Sequence, residues 1–172
     1  MSTIAFIGLG NMGGPMAANL AKAGHQVTGF DLVTSSCEAA KAEGVTIAAS
    51  ATEAASWAEI VLTMLPAGKH VVSVWSEVAP SVRAGGLIVD CSTIDVESAR
   101  RAHAIAAEFS LRSLDAPVSG GTVGAKAATL TFMVGGSEVA FALGEPVLAQ
   151  MGRRVVHCGA REQARLPRSA TT

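Results

Sequence analysis

The chain has 172 residues, enough for one well-cored domain and short for a two-domain enzyme. Hydrophobic residues make up 49% against 16% charged, and the mean hydropathy is +0.40, which excludes a largely disordered chain. Thirteen Lys and Arg against fourteen Asp and Glu leave a formal charge of -1, so no long-range field draws in nucleic acid or an anionic membrane surface.

Short apolar runs rich in β-branched residues alternate with Ala-rich segments of helical period, the pattern of a parallel sheet covered by helices. In chain order the pattern predicts strands over Thr3–Gly8, Gln26–Asp31, Ile60–Met64, Leu87–Cys91, Arg112–Ala116, Leu130–Val134 and Arg154–Cys158, with a weaker one near Val45–Ile47. Between them it predicts helices over Met12–Ala23, Ser35–Ala42, Gly68–Glu77, Val96–Phe109 and Glu138–Ala149. Gly24 and Gly44 stand where the first two helices should stop, and Asp95 stands where the fourth should start. The expected fold is α/β, a doubly wound and mostly parallel sheet of Rossmann type, spanning residues 1–160.

Cys37, Cys91 and Cys158 are odd in number and widely spaced, which suggests neither a disulfide framework nor a metal site. An apolar run begins within three residues of Met1, leaving no room for a basic and then hydrophobic leader. The expectation is a cytoplasmic, non-membrane protein.

The first chemical signal is Ile4-Ala-Phe-Ile-Gly-Leu-Gly-Asn-Met-Gly13, which sets Gly8, Gly10 and Gly13 in a G-x-G-x-x-G array between a strand and a helix. Gly8 allows the tight turn, Gly10 removes the Cβ that would bar a pyrophosphate, and Gly13 lets helix and strand pack closely. The helix N-terminus then offers free N–H groups and a partial positive charge to the phosphates. Asp31 ends the second strand 21 residues after Gly10, where a carboxylate can accept from ribose hydroxyls and repel a 2′-phosphate. That favours NAD over NADP. FAD and S-adenosylmethionine proteins use related glycine loops, and such a turn can also be purely structural.

Four segments raise the specificity: Gly8-Leu-Gly-Asn-Met-Gly-Gly-Pro-Met-Ala-Ala-Asn-Leu20, Thr63-Met-Leu-Pro66, Asp90-Cys-Ser-Thr-Ile94 and Asp115-Ala-Pro-Val-Ser-Gly-Gly-Thr-Val-Gly-Ala125. With them the chain resembles the β-hydroxyacid dehydrogenase family over nearly all of residues 1–160. The resemblance implies a cofactor site made of Gly8, Leu9, Gly10, Asn11, Met12, Gly13, Asp31, Met64, Leu65, Pro66 and Thr93. It implies a substrate-carboxylate site at Ser119, Gly120 and Gly121, where a hydroxyl and open backbone N–H groups can form a small anion nest. The implied reaction is hydride transfer between NAD and a small 3-hydroxy acid. 3-Hydroxyisobutyrate going to methylmalonate semialdehyde comes first, and tartronate semialdehyde or another β-hydroxy acid comes next. One departure is Ala128, which replaces a glycine common before Thr-Leu in the family.

The family continues into a helical second domain opened by G-x-G-x-x-x-K-x-x-x-N, whose lysine exchanges a proton with the substrate hydroxyl. That motif is absent from this sequence, and Lys126 is the nearest lysine by position to the substrate segment. Residues 161–172 change character abruptly. Codons chosen for them, read one base earlier, spell Gly-Ala-Gly-Gln-Ala-Ala-Lys-Ile-Cys-Asn-Asn, so a shifted reading frame is the expected origin of this tail. The expectations are a truncated chain with no catalytic residue of its own and little or no activity. Alternatively it is a non-catalytic NAD-binding module, and in either case it can self-associate through the surface that the second domain would cover.

Overall fold

The computed structural model describes residues 1–159, so the tail over 161–172 and the frame-shift expectation attached to it lie outside the described residues. Six strands form one parallel sheet: β1 (Thr3–Ile7), β2 (Gln26–Phe30), β3 (Thr46–Ile47), β4 (Ile60–Thr63), β5 (Leu87–Asp90) and β6 (Arg112–Asp115), in the order β3-β2-β1-β4-β5-β6. This is the order of a Rossmann sheet, with the crevice for a ligand expected at the carboxyl ends of β1 and β4, where the winding reverses.

Because both faces of the sheet are covered, its central strands β4 and β5 are buried at every position rather than at alternate ones, whereas the outer strands β2, β3 and β6 keep polar, exposed positions such as Gln26, Thr46 and Arg112. Ile4 and Phe6 face one layer, where α1 (Gly13–Lys22) and α7 (Glu138–Leu148) contribute Met16, Leu20 and Leu148. Ala5 and Ile7 face the other, where α4 (Gly68–Val78) and α5 (Val96–Glu108) contribute Val71, Trp75, Ala102 and Ala106. The helix ends obey the punctuation in the sequence. Gly24 and Gly44 adopt φ of 99° and 100°, and the Asp95 side chain accepts from the Ser98 N–H at 2.9 Å.

Three small elements depart from the expected string. α3 (Ala51–Ala55) is capped by Ser50, whose hydroxyl accepts from the Glu53 N–H at 3.0 Å. Beyond β6, the segment 117–129 is not an open loop: it forms β7 (Val118–Ser119) and α6 (Gly121–Ala127). Then β8 (Leu130–Val134) pairs antiparallel with β7 and parallel with β9 (Gly152–His157), giving a second, three-stranded sheet. Reciprocal bonds between Asp115 and Gly135, 2.9 and 2.8 Å, join the two sheets. The remaining helix, α2 (Thr34–Ala42), follows β2. Trp57, at the turn into β4, is 75% exposed with φ of 63°. Among the described residues no helix is long and apolar enough to cross a membrane.

Candidate cofactor site

The glycine turn does three separate jobs, and the structure distinguishes them. Gly8 has φ of 101°, which side-chain-bearing residues avoid, and a Cβ there would lie 2.2 Å from the Met64 carbonyl oxygen. A Cβ on Gly13 would lie 1.8 Å from the Gly8 carbonyl oxygen, so α1 can approach β1 this closely only without one. A Cβ on Gly10 would meet nothing within 4 Å. Its space is not needed by the protein, which is what a backbone cradle for an external group requires. The Gly14 and Met16 N–H groups of α1 donate to the Gly10 and Met12 carbonyl oxygens at 2.9 and 3.2 Å, so the helical ladder begins at Gly10 and the positive end of the helix dipole lies beside this space.

Asp31 closes the other side. Its Oδ2 accepts from the Leu9 N–H at 2.7 Å and its Oδ1 from the Val33 N–H at 2.8 Å. The carboxylate thereby ties the glycine turn to the start of α2. Each oxygen keeps a second lone pair, so the same group can still accept from a diol.

A cleft of about 660 Å³ brings together Gly8, Gly10, Asn11, Met12, Gly13, Asp31, Met64, Leu65 and Pro66 from the sequence-predicted set. Leu9 differs. Its side chain is 2% exposed and packs in the core, and its N–H is committed to Asp31, so it serves the turn from behind. Thr93 lies on the β5–α5 loop, and Ser119, Gly120 and Gly121 lie on the β7–α6 turn; both stand apart from the cleft lining. Gly120 and Gly121 have φ of 133° and 61°, conformations suited to glycine.

Sequence reasoning missed the far wall. His70 and Val74 of α4 and Leu32 and Val33 after Asp31 also line the cleft, with Leu32 90% and Val33 54% exposed. Two large apolar side chains left in water directly after an acidic strand end were the available signal. Lys126, the nearest lysine by position to the substrate segment, is exposed in the last turn of α6 and borders an adjoining cavity of about 460 Å³ between α1, α2 and α6, which shares Gly10 and Asn11 with the cleft.

A Rossmann sheet, an open glycine cradle at a helix N-terminus and a carboxylate at the end of β2 define a dinucleotide-binding domain. The family profile described as the NAD binding domain of 6-phosphogluconate dehydrogenase matches residues 3–159. The chain belongs to that family, within its β-hydroxyacid dehydrogenase branch, and NAD is its cofactor. A probable 3-hydroxyisobutyrate dehydrogenase of Mycobacterium tuberculosis is 50% identical over 160 residues, 93% of this chain and 54% of that protein. An NAD-dependent L-serine dehydrogenase of Pseudomonas aeruginosa is 48% identical over 162 residues, 92% of this chain and 54% of that protein. A solved structure of Mycobacterium tuberculosis 3-hydroxyisobutyrate dehydrogenase with L-serine superposes with a TM-score of 0.95 at 47% identity, covering 99% of this chain and 58% of that one. The chain thus spans about half the length of the curated relatives it matches.

Proposed function

We propose that this chain is the cofactor-holding half of an oxidoreductase that interconverts a small 3-hydroxy acid and its semialdehyde, with 3-hydroxyisobutyrate the first candidate. The observation that carries the reading is the cleft itself, where the unfilled space over Gly10 faces Asp31 and the Met64–Leu65–Pro66 segment. NAD supplies the hydride acceptor when bound. Gly10 and the start of α1 receive its pyrophosphate, and Asp31 selects an unphosphorylated ribose. Leu32, Val33 and Val74 give a flat base an apolar wall. Thr93 stands toward the nicotinamide end, and Ser119, Gly120 and Gly121 hold the substrate carboxylate.

Substrate identity narrows to a class. Relatives of nearly equal identity, 49% and 48%, are named for 3-hydroxyisobutyrate and for L-serine. Both molecules are carboxylates with a primary hydroxyl on the β carbon. Residues shared at this level read that common part and leave the substituent between them to groups elsewhere.

As hydride leaves the carbinol carbon, the hydroxyl proton needs an acceptor. All four lysines, Lys22, Lys41, Lys69 and Lys126, are exposed, and none lines the cleft. We therefore assign these 172 residues cofactor binding with little or no turnover. NADH titration monitored by fluorescence, repeated with NADPH, should show saturable binding that favours NADH. Incubation with NAD and 3-hydroxyisobutyrate or L-serine should produce almost no NADH. Turnover at ordinary enzyme rates would overturn the second assignment, and absence of NADH binding the first.

A further inference from the structure

Asp90-Cys-Ser-Thr93 forms the β5 end of the cofactor edge, yet its first and third residues have no path to a ligand: Asp90 is 1% exposed and Ser92 0%. Thr63, Asp90 and Asp115 stand in register at the carboxyl ends of β4, β5 and β6, all buried on the face covered by α4 and α5. A directed set of hydrogen bonds connects the first two to the cleft. The indole Nε1–H of Trp75 donates to Thr63 Oγ1 at 3.1 Å, and that hydroxyl donates to Asp90 Oδ1 at 2.9 Å. From the other side, the Leu65 N–H donates to Ser92 Oγ at 2.7 Å, and Ser92 donates to the same Asp90 oxygen through Oγ at 2.6 Å and through N at 3.1 Å.

The directions follow from chemistry. An indole or amide N–H can only donate, so each hydroxyl receives it and turns its own proton toward the carboxylate, which when ionised can only accept. Asp90 therefore sets the orientation of both hydroxyls. The strand ladder ends one residue earlier, where the Met64 N–H donates to Ile7 O at 3.0 Å. At Leu65 the chain leaves the sheet, and the Ser92 hydroxyl replaces the missing strand partner.

We propose that Asp90 and Ser92 are positioning residues for the cofactor: through the Leu65 N–H they fix the Met64–Leu65–Pro66 segment that walls the cleft. This rests on the cleft being the NAD site. The alternative is that the network only satisfies buried polar groups and has no bearing on binding.

Two readouts separate them in the full chain. In Ser92→Ala the Leu65 amide should lose its protection from hydrogen exchange while the Met64 amide keeps it. NADH affinity should fall about tenfold, the scale of one lost hydrogen bond, with the variant still folded. Asp90→Asn keeps one acceptor oxygen, so its losses should be smaller in both readouts. It also serves should Ser92→Ala fail to fold, because faster Leu65 exchange with weaker NADH binding is expected there too. Leu65 protection and NADH affinity unchanged in the folded variants would overturn the proposal. A wild-type chain that does not bind NADH at all would overturn the cofactor site instead, and Leu65 exchange would still report whether the brace exists.

Discussion

Two glycine-rich turns face the carboxyl edge of this molecule, and they are built on opposite principles. In the turn over residues 8–13, backbone presses on backbone: the missing Cβ atoms of Gly8 and Gly13 would lie 2.2 and 1.8 Å from carbonyl oxygens. In the turn over 119–121 there is room. A Cβ on Gly121 would meet nothing within 4 Å, and one on Gly120 would first meet the flexible Leu130 side chain at 3.2 Å. The first turn is fixed by contact with the main sheet, the second by its own dihedral angles and by what lies behind it. A dinucleotide has the same phosphates in every enzyme that binds it, which suits a rigid cradle. The carboxylate site proposed at Ser119, Gly120 and Gly121 would suit a turn that can be adjusted.

Gly13→Ala tests the rigid turn most severely. Its methyl cannot coexist with Gly8 O unless α1 moves off β1, so the variant should lose about 3 kcal/mol in urea unfolding and all measurable NADH binding. Near-normal binding would mean that the cradle is softer than its contacts indicate. Asn19→Ala probes the link between the turns. The Asn19 Nδ2 donates to the Ala125 carbonyl at 2.8 Å, tying α1, which follows the first turn, to α6, which follows the second. Loss of that bond should cost about 1 kcal/mol and leave NADH affinity close to wild type. The smallest effect is expected from Ala128→Gly. Ala128 ends α6 in the left-handed region, with φ of 57° and ψ of 41°. Glycine there should raise stability by about 0.5–1 kcal/mol by removing Cβ strain, visible as a higher melting temperature. A drop would show that α6 gains more from the methyl than it loses.

The main sheet was readable because its information is local. Ile60-Val-Leu62 and Leu87-Ile-Val89 are short, β-branched apolar runs, the pattern of a strand covered on both faces. The glycine turn was readable for the same reason, since strand, turn and helix follow one another without interruption. α6 was not, because Gly121, Gly124 and the left-handed Ala128 argue against a helix that tertiary contact with α1 nevertheless holds. α3 has five residues and no apolar period, although Ser50 followed by Glu53 was a capping signal that could have revealed it. The brace under the cofactor edge was illegible in principle. Thr63, Trp75, Asp90 and Ser92 span 30 positions, and only the pairing register sets Thr63 beside Asp90. Buried polar residues acquire meaning from their neighbours, and those are absent from a linear reading. The same holds for His103, whose Nδ1 lies 2.7 Å from Ser113 Oγ and whose Nε2 lies 2.5 Å from Asp115 Oδ1. It anchors the strand that leads into the second turn.

The chain has two tryptophans and no tyrosine, so its near-ultraviolet emission comes from two very different indoles. Trp75 is sealed on α4, its N–H held by Thr63 and its ring edge-on to His103 at 5.6 Å, a few residues from the cleft wall at His70 and Val74. Trp57 stands in water at the opposite edge of the sheet. Iodide should quench the second and spare the first, and blue-shifted emission from Trp75 should overlap the absorption of reduced nicotinamide. The protein thus carries its own optical reporter on the cofactor side and an internal reference on the other.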